Sequence, residues 1–380
     1  MIRVSILILF LFFALGLHSI DSREWIEKAV AREFAPYEKR GISLEAIEKT
    51  WQRVQRNPEF CRYKIIDSKV FGNASKIKNL LEELVKNYSI PDVDFIYFNQ
   101  DRIKKSFTKR KALRNGAPVL VSAKEASLSQ FILFSDWLYD PTAEESGWNA
   151  LAKMINEHFE KWPWNEKIER LFWRGAPFDG NHFGMYQFNC WKEIPRGTLV
   201  YLSRVDPEHI DAAFSSYPPG CLREDPERCL REMGPQSFVP VVDQLQYKYH
   251  LIIDGVTCTY PATHWKLLSG SLTFKQASRD IMYFYPEMIP WKHYIPVRAD
   301  LSDLIEKIEW AKNHDEIAHA IAQNGREFAL THLMREQILD YCRAVLIRYS
   351  TLQTFQPKLY QLNNRYSAHL RSFGPKERAL

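Results

Sequence analysis

The run Val93-Asp94-Phe95-Ile96-Tyr97-Phe98 is apolar at five of six positions and stops abruptly at the polar Asn99-Gln100-Asp101. Such a short apolar segment with a polar exit reads as a largely buried strand. Similar strands are expected at Cys61–Lys69, Pro118–Ser122, Phe131–Phe134, Leu171–Trp173, Lys248–Ile253 and Ser271–Lys275. Helical spacing falls between them, at 23–35, 44–55, 75–86, 262–269, 301–313 and 315–332. Ser43 and Asp300 stand where N-caps are wanted, and Gly270 where a C-cap is wanted. Alternation of this kind fits a layered α/β fold and little else.

At 380 residues the chain exceeds one ordinary core, so two α/β domains are expected. The divisions are a leader at 1–22, a first domain at 23–163, a second at 164–345 and a tail at 346–380. The leader carries Arg3 and an apolar run of about fourteen residues, the length of a signal-peptide core and short for a membrane span. A cleaved signal or a short anchor both place the remainder outside the cytosol. Six cysteines agree with export, and Cys221 and Cys229 are spaced to close a surface loop. Asn73 and Asn87 begin glycosylation tripeptides. Net charge is +5 with signs mixed along the chain, which excludes a dedicated nucleic-acid binder. No Cys/His set stands at zinc spacing, and no dinucleotide, P-loop, hydrolase-elbow or kinase motif is present.

Four places have chemistry to offer. Asp101 lies just past a strand, where a carboxylate can take a proton from an attacking hydroxyl; it can equally be a loop aspartate satisfied by solvent or by Arg102. Arg174 with Gly175 ends a strand in the way a diphosphate anchor would, although a surface arginine has the same local sequence. Lys248 lies inside Tyr-Lys-Tyr and either binds an anion or snorkels from a strand edge. The segment from Asp254 through Thr259 and Tyr260 leaves a strand by Asp-Gly and enters a helix, whose free N–H groups suit a phosphate; an ordinary hydroxyl-rich turn reads the same.

From Trp164 to about Ala329 the chain resembles the catalytic domain of glycosyltransferase family 90, which includes the protein O-glucosyltransferases. The resemblance rests on PWNEKIERLFWRGAP, VDPEHIDAAF, YKYHLIIDGVTCTY, WKLLSGSLTFKQ and FYPEMIPWKHYIPVRADLSDLIEKIEWAKNHDEIAHAIAQNGREFA, in that order. It implies a GT-B-like pair of Rossmann-type domains with a cleft, a UDP-sugar donor (glucose or xylose), inversion at the anomeric carbon, and no metal or other cofactor. It also implies Asp101 as catalytic base, within DFIYFNQDRI, and Arg174 as a donor contact. Many members carry an arginine before the helix that follows Asp-Gly; this chain reads Tyr260-Pro-Ala-Thr-His-Trp265 there. Either His264, Lys266 or Lys275 supplies the charge, or donor binding differs, or activity is weak. A sugar-binding relative without activity and a lipopolysaccharide- or capsule-modifying transferase are the alternatives. The expected acceptor is a protein or glycan hydroxyl. The expected compartment is the ER or Golgi lumen in a eukaryote, or the envelope in a bacterium.

Overall fold

A computed structural model describes residues 22–73, 77–101, 103, 116–135, 147–178, 191–217, 232–259 and 261–358. The first half runs α1 (Ser22–Phe34), α2 (Leu44–Val54), β1 (Phe60–Ile66), β2 (Lys69–Gly72), α3 (Lys78–Asn87) and β3 (Val93–Phe98). It continues through β4 (Val119–Val121), β5 (Lys124–Glu125), β6 (Phe131–Leu133) and α4 (Gly147–His158). Its sheet has the order β2-β1-β3-β4-β6, antiparallel across β2-β1-β3 and parallel across β3-β4-β6. All six residues of β3 are buried, as the apolar run requires. Its one charge, Asp94, is fully buried and held by Arg62 of β1 through hydrogen bonds of 2.8 and 2.7 Å. The strand expected to reach Lys69 stops at Ile66, because Asp67 and Ser68 adopt positive φ and turn the chain into the β1–β2 hairpin.

The second half comprises β7 (Ile168–Gly175), α5 (Pro195–Val205), β8 (Ile210–Phe214), β9 (Tyr247–Ile252), α6 (Ala262–Leu268), β10 (Leu272–Gln276), β11 (Asp280–Ile281) and β12 (Ile295–Val297). Then come α7 (Leu304–Asn313), α8 (Asp315–His332) and α9 (Arg335–Leu352). Its sheet is wholly parallel, in the order β8-β7-β9-β10-β12. Counted along the chain that is 2-1-3-4-5, a doubly wound order whose direction switches between β7 and β9. The mixed α/β class expected from the alternation is what the structure has.

Local capping follows the sequence at two sites and departs at a third. Ser43 Oγ accepts from Ala46 N at 3.1 Å, and Gly270 takes φ +69° after α6. Asp300 does not cap a helix. It accepts from Ser302 N at 3.0 Å in a turn where Leu301 has φ +61°, and that left-handed residue delays α7 until Leu304, with Asp303 at the cap position.

Helix α9 crosses the boundary expected at 345 and packs against the first sheet. Tyr341 Oη donates to Leu133 O and Tyr349 Oη to Pro118 O, at 2.9 and 3.2 Å. The core under that sheet also takes Trp265 and Leu268 of α6, Phe284 and Phe328, so the two halves share packing. A second core lies between the parallel strands and α5, α7 and α8. A two-residue antiparallel ribbon, β5 with β11, ties the halves together. No helix among the described residues is long and apolar enough to cross a membrane; the apolar leader lies outside them. Cys61, Cys258 and Cys342 are buried free thiols, and the Cys221–Cys229 pair lies outside the described residues.

Candidate functional site

In a doubly wound sheet a ligand sits at the carboxyl ends of the strands, where the order reverses. Here that place is the gap between the end of β7, at Arg174-Gly175, and the residues after β9, Ile253-Asp254-Gly255. Four of the candidates from the sequence are therefore brought to one edge: Arg174, Gly175, Asp254 and, from the end of neighbouring β10, Lys275.

Arg174 is fixed rather than swinging free. Nη2 lies 2.8 Å from Asp211 Oδ1 on β8, Nε donates to Ser237 Oγ at 3.1 Å, and the guanidinium covers the Phe172 ring at 4.3 Å. Its charge is thus largely offset by Asp211. Gly175 has a packing reason to lack a side chain, since a Cβ would stand 2.5 Å from Trp173 Cζ2. Burial pushes the Asp254 carboxyl up from its ordinary value, against a hydrogen bond from Ser278 and the charge of Lys275. Thr259 turns inward, donating from Oγ1 to Ile253 O at 2.6 Å, and Tyr260 lies outside the described residues.

Lys275 has the most open chemistry of the set. Its Nζ lies 4.3 Å over the Tyr285 ring and 3.4 Å from Gln276 O, and the Asp254 carboxyl acts on it as a nearby charge, beyond ion-pair distance. Burial pushes the ammonium down from its ordinary value. It borders a cavity of about 410 Å³ that Arg32, Glu33, Lys124, Asp280 and Tyr294 also line. His264 and Lys266, the other cations weighed for this role, are turned elsewhere. His264 is buried edge-on to Trp148 and Phe284, which lowers its pKa to about 3, and Lys266 donates to Leu251 O at 2.6 Å from beneath the sheet. Lys248 is not brought to this edge at all. As the second residue of β9 it lies at the amino end, 3.0 Å from Asp315 and 3.4 Å from Glu169, over the Trp164 ring.

Asp101 is half-buried, three residues beyond β3; Asn99 N, donating to Glu59 O at 2.7 Å, pins the start of that exit. β3 runs parallel to β4, whose carboxyl end leads within three residues into β5. β10 likewise leads within four residues into β11, the partner of β5. The carboxyl ends of β4 and β10 thus meet at one ribbon, with the cavity beside it.

Sequence reading missed two features here. A buried ion pair, Lys124 Nζ to Glu33 Oε2 at 2.7 Å, braces the ribbon against α1. Arg196, at the start of α5, reaches under both loops of the switch point. Neither carries a local motif, because each depends on partners dozens of residues away. Among the described residues no group of three His, Cys, Asp or Glu side chains is gathered as a metal site.

The family model described as Glycosyl transferase family 90 matches residues 24–370, nearly the whole described chain. The chain belongs to that family. Among curated relatives, Protein O-glucosyltransferase 2 of Danio rerio is 31% identical over 318 residues, covering 81% of this chain and 59% of that one. Protein O-glucosyltransferase 3 of Homo sapiens is 32% identical over 196 residues, 52% of this chain and 34% of that one. Protein O-glucosyltransferase 1 of Rattus norvegicus is 28% identical over 208 residues, 55% and 48% respectively. The chain thus spans about half the length of the relatives it matches.

Proposed function

We propose that this family 90 chain transfers a sugar from a UDP-sugar to a hydroxyl on a protein or glycan, with inversion, in a GT-B-like cleft. The observation that carries the reading is the convergence of carboxyl strand ends from both sheets on the β5–β11 ribbon and its cavity. The donor lies across the β7–β9 switch point, its diphosphate facing Arg174, Gly175 and the 254–259 segment, with Lys275 as a nearby cation that has no carboxylate at ion-pair distance among the described residues. Asp101 stands on the first half and removes the acceptor proton. Fixed cations and N–H groups, with no metal, offset the charge on the departing UDP. The names of the relatives support glucose as the first sugar to try and a protein as acceptor, and the apolar leader supports a secretory lumen as compartment.

The test is a panel of UDP-sugars assayed for UDP release and for mass gain on candidate acceptors. Release with one UDP-hexose or UDP-pentose and a gain of one sugar is expected. Binding of UDP without release would favour the inactive relative instead, a reading that the Asp211-paired Arg174 makes concrete. Within the same assay, Lys275→Met is expected to weaken UDP binding about ten-fold, or ~1.4 kcal/mol. Melting temperature should not fall, since the variant removes a charge that burial disfavours. Unchanged UDP affinity would remove Lys275 from the donor site.

A further inference from the structure

Arg196 is 7% exposed, and its guanidinium donates to three main-chain carbonyls. Nη1 reaches Ala176 O at 2.9 Å, just beyond β7; Nη2 reaches Ile253 O at 3.2 Å and Nε reaches Asp254 O at 2.9 Å, just beyond β9. One side chain therefore fixes the separation of the two loops that bound the switch point. Its own placement is built in. Gly197 lets the first turn of α5 lie against the Trp191 carbonyl, where a Cβ would stand only 1.6 Å from the oxygen. Gly255 leaves room for the guanidinium itself, since a Cβ there would stand 2.7 Å from Nη2.

A cation in the first turn of a helix opposes the helix dipole, and burying one without a hydrogen-bonded carboxylate costs more again. Three carbonyls and the faces of Trp173 and Phe178, at 5.6 and 5.8 Å, offset part of that cost. Burial lowers the guanidinium to about 10, which leaves it charged at neutral pH.

We propose that Arg196 is the positioning residue of the donor site, setting the gap between the β7 and β9 loops to the span of a nucleoside diphosphate. The proposal rests on the donor reading above. A diphosphate seated across the gap must meet both loops at once, and a misplacement of about 1 Å is enough to lose much of the binding and the rate. Arg196 touches only loop carbonyls, so it acts through the loops.

The test compares UDP and UMP binding by calorimetry, per folded molecule, in the full chain and in Arg196→Lys and Gly255→Ala. Lysine keeps the charge but spans one carbonyl at a time. Alanine at 255 keeps the arginine but pushes its flexible end aside, so the pair keeps the test open if one variant fails to fold. UDP affinity is expected to fall about ten-fold or more for Arg196→Lys and about three-fold for Gly255→Ala, with UMP affected less, because UMP does not span the gap. A residue that only supported folding would reduce the folded fraction and leave both affinities of the folded protein unchanged, and that result overturns the proposal. Wild-type protein that binds UMP and UDP equally overturns it as well, while leaving a nucleotide site in place. Wild-type protein that binds neither overturns the donor reading, and this proposal with it.

Discussion

Asp101→Asn is expected to slow sugar transfer about a thousand-fold while leaving UDP affinity within about two-fold of wild type. Asparagine has the shape of aspartate but cannot take a proton from the acceptor hydroxyl, so the loss falls on the transfer step. The nucleotide is spared because both cations assigned to it stand on the second half, Arg174 near the end of β7 and Lys275 near the end of β10, whereas Asp101 follows β3 of the first. Single-turnover transfer and calorimetric UDP binding, measured on the same preparation, separate the two effects. Near-wild-type transfer by the variant would remove the base from this position. A parallel loss of UDP binding would show that Asp101 supports the architecture instead.

What could be read in the sequence followed a simple physical line. Period and burial are local, so β3 was legible to the residue: six apolar-rich positions became six buried ones. Ser43 and Gly270 were legible because capping is decided within one turn. Strand order is not local. Lys248 and Lys275 look alike in one dimension, each flanked by large residues in a strand. Lys248 is the second residue of β9 and Lys275 the fourth of β10, and in a parallel sheet that difference sends them to opposite edges. The expected bounds, Lys248–Ile253 and Ser271–Lys275, already put Lys248 first and Lys275 last in its strand; what they could not show is that the two strands run parallel in one sheet. Helix α9 was missed, and the boundary expected at 345 cuts through it, although Ile338, Cys342, Val345, Tyr349 and Leu352 repeat at helical spacing and all are buried. That it returns to the first sheet is a tertiary fact, as are the three carbonyls under Arg196.

The second large effect is on stability, and acid produces it. His264 is 1% exposed, edge-on to Trp148 and Phe284, and neither ring nitrogen has a protein partner among the described residues. Burial lowers its pKa to about 3. His293 and His332 are each lowered to about 4, by burial and, for His293, by Lys292 and His332 nearby. The neutral form of His293 is the one its structure uses, because Nδ1 accepts from Ile289 N at 3.1 Å. An unfolded chain takes up protons at these imidazoles near pH 6.5, whereas the folded chain resists to about pH 4 or below. The unfolded state thus binds more protons through that interval, and stability must fall as pH falls from about 6.5. Lys266, lowered to about 7 by burial and by Arg196, gives the same sign between roughly pH 10 and 7. Asp254, raised by burial, works the other way and offsets part of the loss. His250, fully buried and lowered well below its ordinary value by burial and by Lys266 and Lys167, adds to the loss, so a net decrease on the order of several kcal/mol is expected from pH 7 to pH 5, a large share of an ordinary domain's total. Urea unfolding at pH 7, 6 and 5 measures it, and His264→Phe, which keeps an aromatic ring between Trp148 and Phe284, should recover about 2 kcal/mol at pH 5 with little change at pH 7. Equal pH slopes for wild type and His264→Phe would show that the imidazole titrates normally, and therefore that α6 is not packed against Trp148 and Phe284 as described.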